Sequence, residues 1–270
     1  MSIDAFIRRL ERLDAEPDAP LAERRAAYER LHRERRPPDP AGLRVEDAHI
    51  AGVAVRRFTP RDAQSGCVVY LHGGGWIIGS TASHHGITAD LAARLGREVV
   101  SVDYRRVPEA SYATALADCV AVVNACTPLA VVGDSAGGRL AIDVAHRGWQ
   151  GVLGLIYPVV GAPTPETLGE DAPLLSRADI LALWQSVATA VPAIPAERVP
   201  TPTIEVLAVA RDPLTRPLEA AVEAWRQAGA EVGYRCAPEM VHSALHGHAE
   251  LPAMREAWQA FCQALAARLR

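Results

Sequence analysis

The sequence predicts an α/β protein whose mostly parallel central sheet is flanked by helices and carries a helical cap. Two observations lead there. From about residue 67 onward, short apolar runs alternate with segments of helical period, which is the rhythm of strands joined by crossover helices. Glycine-rich turns also stand directly at the ends of two of those runs, where open α/β sheets place their ligand sites. A chain of 270 residues with 49% apolar content is long enough to bury a large core as one unit spanning 1–270.

The elements follow in order. Residues 3–13 and 21–36 have helical spacing with heavy charge, and Pro37-Pro38-Asp39-Pro40 ends them. Residues 43–50 and 53–59 read as two antiparallel strands about Ala51-Gly52. Strands are expected at about 67–71, 98–103, 129–133, 151–157, 203–210 and 231–236. Helices are expected at about 86–95, 113–125, 135–147, 216–228 and 251–268. Segment 160–200 breaks this rhythm, with a Gly161-Ala162-Pro163-Thr164-Pro165 opening and a helix-like stretch over 177–190. It reads as a lid, so the cap pieces fall at about 1–40 and 160–200. No internal repeat or low-complexity tract interrupts the chain.

Gly133-Asp134-Ser135-Ala136-Gly137-Gly138 follows the run Leu129-Ala130-Val131-Val132 and precedes a helical pattern. Strand, sharp Gly-x-Ser-x-Gly turn and helix is the context of a nucleophile elbow. Glycines flank the serine because a β-carbon there would strike the adjoining strand or helix. The hydroxyl then stands at a helix N-terminus, where N–H groups favour developing negative charge. A glycine-rich turn with a capping serine is the plainer alternative. The second motif weighs against it. His72-Gly73-Gly74-Gly75-Trp76 ends the run Cys67-Val68-Val69-Tyr70-Leu71, about 60 residues before the serine. Three successive glycines leave backbone N–H groups uncovered, as an oxyanion hole requires.

Those two motifs, with Asp103-Tyr104-Arg105 and Pro108-Glu109 between them, resemble the hormonesensitive-lipase-like branch of the α/β-hydrolases, which includes the bacterial family IV esterases. The resemblance runs from about Val53 to the C-terminus, with a shortening near 190–203. It implies an α/β-hydrolase fold, a serine esterase acting on short or medium acyl chains, and oxyanion donors at the backbone N–H groups of Gly74, Gly75 and Ala136.

The triad acid and histidine should follow the serine in that order. Asp212-Pro213-Leu214, at the end of the expected strand over 203–210, is similar to the family's acid motif, which makes Asp212 the acid. An aspartate before proline is also a common turn opener. His242, after the last expected strand, is the general base, with His246 and His248 as nearby competitors. Trp76, Tyr157, Trp184 and Tyr28 are candidate walls of an acyl or alcohol pocket, although plain core packing explains each equally well. The chain departs from the family pattern at Arg139, where Asn is frequent, at Arg216, in place of an acidic pair, at Ala244, in place of an aromatic, and at His85, where Asp is frequent. These positions surround the triad and bear on substrate choice more than on reaction type.

A net charge of −4 without a basic stripe offers no site for nucleic acid. All 28 cationic residues are arginine, so Schiff-base and serine–lysine chemistry is excluded. Five cysteines at 67, 119, 126, 236 and 262 show no metal spacing and read as small core residues, so no metal or cofactor is expected. The N-terminus has no basic region followed by a long apolar one, and no apolar run approaches 18 residues; the expectation is a cytoplasmic monomer or homodimer acting on a small ester. Three function classes compete. One is a carboxylic-ester hydrolase, with acyltransferase as its variant. The second is a fold-mate turned to lyase or cyclase chemistry. The third is a hydrolase-like binding module, which the presence of all three triad residues argues against.

Overall fold

A computed structural model describes residues 1–13 and 19–270, and the alternation read from the sequence becomes one eight-stranded sheet there. The strands are β1 (Arg44–Ile50), β2 (Val53–Thr59), β3 (Gln64–Leu71), β4 (Arg97–Val102), β5 (Ala130–Asp134), β6 (Val152–Ile156), β7 (Thr203–Arg211) and β8 (Glu231–Val241). The helices are α1 (Ile3–Leu13), α2 (Leu21–Arg35), α3 (His85–Leu95), α4 (Tyr112–Cys126), α5 (Ala136–His146), α6 (Arg177–Val187), α7 (Thr215–Gln227) and α8 (Pro252–Arg268). Strand order is β1-β2-β4-β3-β5-β6-β7-β8. The first two pairings in that order are antiparallel and all later ones parallel.

The helices form because their apolar residues share a face. In α8, Met254, Trp258, Phe261, Cys262 and Leu265 are buried at spacings of three and four. In α4 the same spacing buries Tyr112, Ala115, Leu116, Cys119, Val122 and Val123, and Ser111 caps the helix by accepting from Thr114 N–H. One core cluster joins α4, α5 and α7 to one face of the sheet. The other joins α1, α3 and α8 to the opposite face. Trp225 and Trp258 are buried in the two clusters, and truncating either to alanine would remove about 3–5 kcal/mol. Cys119 and Cys262 lie in the core as expected, whereas Cys67, Cys126 and Cys236 are only half-buried.

The crossovers locate the site. From β3 the chain moves to β4 on one side, then returns past β3 to β5 on the other. That reversal opens a crevice at the carboxyl ends of β3 and β5, the switch point at which doubly wound sheets bind ligands. The lid segment carries α6, opened by a reciprocal capping box between Ser176 and Asp179. Among the described residues, no helix is long and apolar enough to cross a membrane.

Candidate active site

Four strand ends bring the site together. Register pairs Leu71 of β3 with Gly133 of β5, so the triple-glycine loop and the serine turn leave the sheet side by side. Register also pairs Arg211 of β7 with Val241 of β8, which makes the next residues, Asp212 and His242, neighbours.

The serine turn is as tight as its glycines require. A β-carbon on Gly137 would stand 2.1 Å from the Leu71 carbonyl oxygen, and one on Gly133 would stand 2.4 Å from that of Gly137. Ser135 itself has φ +51° and ψ −118°, a strained conformation for a residue with a side chain. Its N–H donates to Ile156 O at 2.9 Å, which pins the turn to β6. The hydroxyl is half-buried at the first turn of α5.

His242 Nδ1 lies 2.7 Å from Asp212 Oδ2, and His242 Nε2 lies 2.9 Å from Ser135 Oγ. The buried Asp212 carboxylate can only accept, so Nδ1 carries the ring proton, and Nε2 accepts from the serine hydroxyl. Asp212 also fills its turn-opening role, because its Oδ1 accepts from Leu214 N–H at 2.9 Å. The two readings of Asp212 are compatible, one for each oxygen. His246 and His248 are engaged elsewhere. The His246 ring stacks on His32 of α2 at 3.6 Å, and His248 donates from Nδ1 to Leu245 O at 2.9 Å.

Among the described residues, the backbone N–H groups of Gly74, Gly75 and Ala136 have no hydrogen-bond partner, and the carbonyl trans to each is held. Gly73 O faces His72 Nδ1 at 2.9 Å, and Gly74 O accepts from Ile77 N–H and Ile78 N–H at 3.0 Å each. Ser135 O accepts from Arg139 N–H at 3.2 Å and Val159 N–H at 3.3 Å. A trans peptide with its oxygen anchored aims its N–H the other way, so all three donors have fixed directions.

Sequence reasoning gave no role to Asp134, which ties the two loops together. Its Oδ1 accepts from Gly73 N–H at 2.9 Å and from the Tyr70 hydroxyl at 2.7 Å, while His84 Nε2 lies 3.3 Å from its Oδ2. Burial alone would raise this carboxyl, but His84, Tyr70 and Gly73 outweigh it and hold it below the ordinary aspartate range. The position before the serine in Gly-x-Ser-x-Gly is nominally free, so no signal marked it.

The candidate pocket residues divide. Trp76 and Tyr157 are almost wholly buried and brace the machinery from behind: Trp76 Nε1 donates to Ala136 O at 3.0 Å, and the Tyr157 ring centre lies 4.7 Å from that of His242. Trp184 of α6 keeps some exposed surface, and Tyr28 lies beside His32 and His246. The departures from the family pattern have local partners. Arg139, buried on α5, pairs with Asp143, donates to the carbonyls of Gly161 and Pro192, and lies over the Trp184 ring, strapping the lid to the serine helix. His85 Nε2 lies 2.9 Å from Asp39 Oδ1. Ala244 is fully buried at the start of a 3₁₀ turn, and Arg216 reaches Leu168 O.

A match to the family described by its alpha/beta hydrolase fold covers residues 68–246, more than half of the chain, and includes both motifs and His242. This chain belongs to the α/β-hydrolase family. Its backbone superposes on that of an esterase of the bacterial hormone-sensitive lipase family with a TM-score of 0.88, covering 99% of this chain and 98% of the other at 20% identity, a likeness of fold. In sequence it is 34% identical over 119 residues to a versiconal hemiacetal acetate esterase of Aspergillus parasiticus, covering 41% of this chain and 38% of the relative. It is 31% identical over 179 residues to the carboxylesterase NlhH of Mycobacterium tuberculosis, covering 56% of each. The chain thus spans between about two fifths and just over half of the length of these curated relatives.

The histidines around this α/β-hydrolase site make it sensitive to acid. His32 and His72 are each held down to about 3, first by burial and then by His84 close by, and burial with the neighbouring His32 and His84 lowers His246 well below its usual value. These folded values lie below the ordinary histidine value of about 6.5. The contribution of His32 and His72 is therefore complete above about pH 6.5 and is lost as pH falls toward 3, by up to about 1.4 kcal/mol per pH unit for each, and that of His246 changes in the same direction. Melting temperature should be flat from pH 8 to 7 and drop steeply from 6 to 4, and His32→Phe should flatten the slope. A melting temperature unchanged between pH 7 and 4.5 would contradict this account.

Proposed function

We propose that this chain is a serine carboxylic-ester hydrolase acting through an acyl-enzyme on Ser135. The observation that carries the reading is the hydrogen-bonded series Ser135–His242–Asp212 beside three unpartnered, fixed N–H groups. His242 Nε2 takes the hydroxyl proton as Ser135 Oγ attacks the ester carbonyl carbon. The carbonyl oxygen becomes an anion, which Gly74, Gly75 and Ala136 N–H stabilise at the positive end of α5. His242 then protonates the departing alkoxide, leaving acyl-Ser135. Water, deprotonated by His242, attacks the acyl carbon, and collapse of the second intermediate releases the acid and restores the serine. Asp212 orients the imidazole and stabilises its charged form throughout.

The substrate class proposed is a small ester with a short or medium acyl chain. Two features support it: Leu183 of α6 stands near enough to the glycine loop that a β-carbon on Gly75 would lie 3.0 Å from its Cδ2, and the relatives include proteins named for acetate-ester and carboxylic-ester cleavage. A series of p-nitrophenyl esters of increasing chain length, with Ser135→Ala as control, tests the reading. Activity should peak at short chains and vanish in the control. Turnover that persists in the control would sink the acyl-enzyme.

The donor assignment has its own test. Gly75 has φ +60°, and a β-carbon there would lie 3.0 Å from Leu183 Cδ2. Gly75→Val should therefore twist the loop and misdirect its N–H groups. Loss of one donor is worth about 2.7–4 kcal/mol, or roughly 10²–10³ in rate. The loss should fall on kcat, because the charge exists only after attack. A folded Gly75→Val enzyme with normal kcat would locate the oxyanion hole elsewhere.

A further inference from the structure

The Pro108-Glu109 motif finds its use in a contact from the cap, at an arginine 50 residues before Gly75. Arg25 of α2 donates from Nε to Ile77 O at 2.7 Å and from Nη2 to Val107 O at 3.1 Å. Its two terminal nitrogens also grip Glu109 in a fork at 2.7 and 2.8 Å. The Arg25 side chain is 18% exposed and Glu109 61% exposed, so the ion pair is at the rim and the two carbonyl contacts are inside it. A surface ion pair of this kind contributes little by itself. The carbonyl contacts are the informative ones.

Ile77 is two residues beyond Gly75, and its N–H is one of the two that hold Gly74 O. The peptide joining Gly74 to Gly75 therefore has its oxygen on Ile77 N–H and Ile78 N–H and its own N–H aimed the opposite way. Arg25 holds the far side of the same turn through Ile77 O. Val107, the second carbonyl it holds, donates its N–H to Trp76 O at 3.0 Å, and Arg106 donates to Gly79 O at 2.7 Å. The turn 74–79 is thereby clasped from two directions, by segment 105–109 and by α2. It needs such support. Trp76 at φ +63°, with Gly74 at φ +105° and Gly75 at φ +60°, is a run of left-handed backbone that does not maintain itself.

We propose that Arg25 is a positioning residue for the proposed ester hydrolysis: it clamps the Gly74–Ile77 turn so that the Gly74 and Gly75 N–H groups keep their aim at the oxyanion, with Glu109 holding the guanidinium in its fork. A fork is the right tool because a planar guanidinium can hold two carbonyls and a carboxylate at once, which a lysine ammonium cannot do with fixed geometry. The effect belongs to the transition state. The ground-state ester needs little from these donors, so loosening them should leave KM alone and lower kcat.

The test compares the full-length wild type with Arg25→Ala and Arg25→Lys, using p-nitrophenyl butyrate as substrate and a trifluoromethyl ketone that adds reversibly to Ser135. Arg25→Ala should lower kcat by about 10–50-fold, less than outright loss of a donor, with KM within about two-fold. Affinity for the ketone should fall by the same factor, and Arg25→Lys should lie between the two. Amide hydrogen exchange over 74–78 should quicken by at least about ten-fold in Arg25→Ala while that of α8 stays put. If Arg25→Ala does not fold, Arg25→Lys carries the same comparisons. A wild-type kcat, a loss confined to KM, or unchanged exchange over 74–78 would overturn the clamp. The proposal rests on the esterase reading, and the two fail differently. A wild type that neither turns over esters nor takes a fluorophosphonate on Ser135 defeats that reading, whereas the exchange measurement decides the clamp in either case.

Discussion

Ser135→Ala should lower ester turnover by about 10⁴-fold or more and leave the fold intact. The substitution removes one oxygen, whose hydrogen bond is to His242 Nε2. The turn is held by other means: the Ser135 N–H bond to Ile156 O, and the close approach of Gly137 to β3. Alanine tolerates the left-handed backbone at 135 about as badly as serine does, so the strain already present is unchanged. The melting temperature should therefore move by only a few degrees while covalent labelling by a fluorophosphonate disappears. The unpartnered N–H groups remain in the variant, and a residue of catalysis above the uncatalysed rate should survive with them. A Ser135→Ala enzyme that keeps its turnover would promote the lyase-type alternative, in which the same fold works without an acyl-enzyme.

His242→Ala should be about as damaging, since nucleophile and base act as one unit and removal of either disables both. The contrast with its neighbours is the sharper half of the prediction. His246→Ala and His248→Ala should each change turnover by no more than several-fold, because one ring is stacked on His32 and the other is bonded to Leu245 O with Asp90 beside it. His246→Ala should instead appear as lost stability of the α2 contact. An inactive His246→Ala enzyme with a healthy His242→Ala counterpart would reassign the base by one turn. Side-by-side kcat/KM values for the three variants, checked for fold by circular dichroism, decide it.

What could be read from the chain beforehand was whatever depends on near neighbours. Strand and helix positions follow from local period, and the helix over 177–187 and the strand over 203–211 fell within a few residues of expectation. The serine turn and the triple glycine announce themselves because backbone geometry forces their composition. Other features depend on contacts between distant segments. The path from β4 past β3 to β5 is written in no single stretch of sequence. α2 has charges on all sides and no apolar stripe, so nothing indicated that Arg25 and His32 face the body of the protein, and Tyr28 alone of that face stood out, as a candidate pocket wall. Trp76 and Tyr157 were fair candidates for a pocket wall, since a large aromatic near a site serves equally well as lining or as backing; their near-complete burial makes them backing. Arg139 looked like a disturbance to the family pattern, and its purpose appeared only once the carbonyls of Gly161 and Pro192 were seen converging on it.

Asp134 has a consequence for how the site behaves while it vibrates. Its carboxylate belongs to the serine turn by covalent bond and to the glycine loop by its grip on Gly73 N–H. A displacement of one loop should therefore carry the other with it. What the proposed chemistry requires is a constant separation between nucleophile and N–H groups, whatever the absolute position of either. A shared rigid joint narrows the spread of that separation without stiffening the whole edge of the sheet.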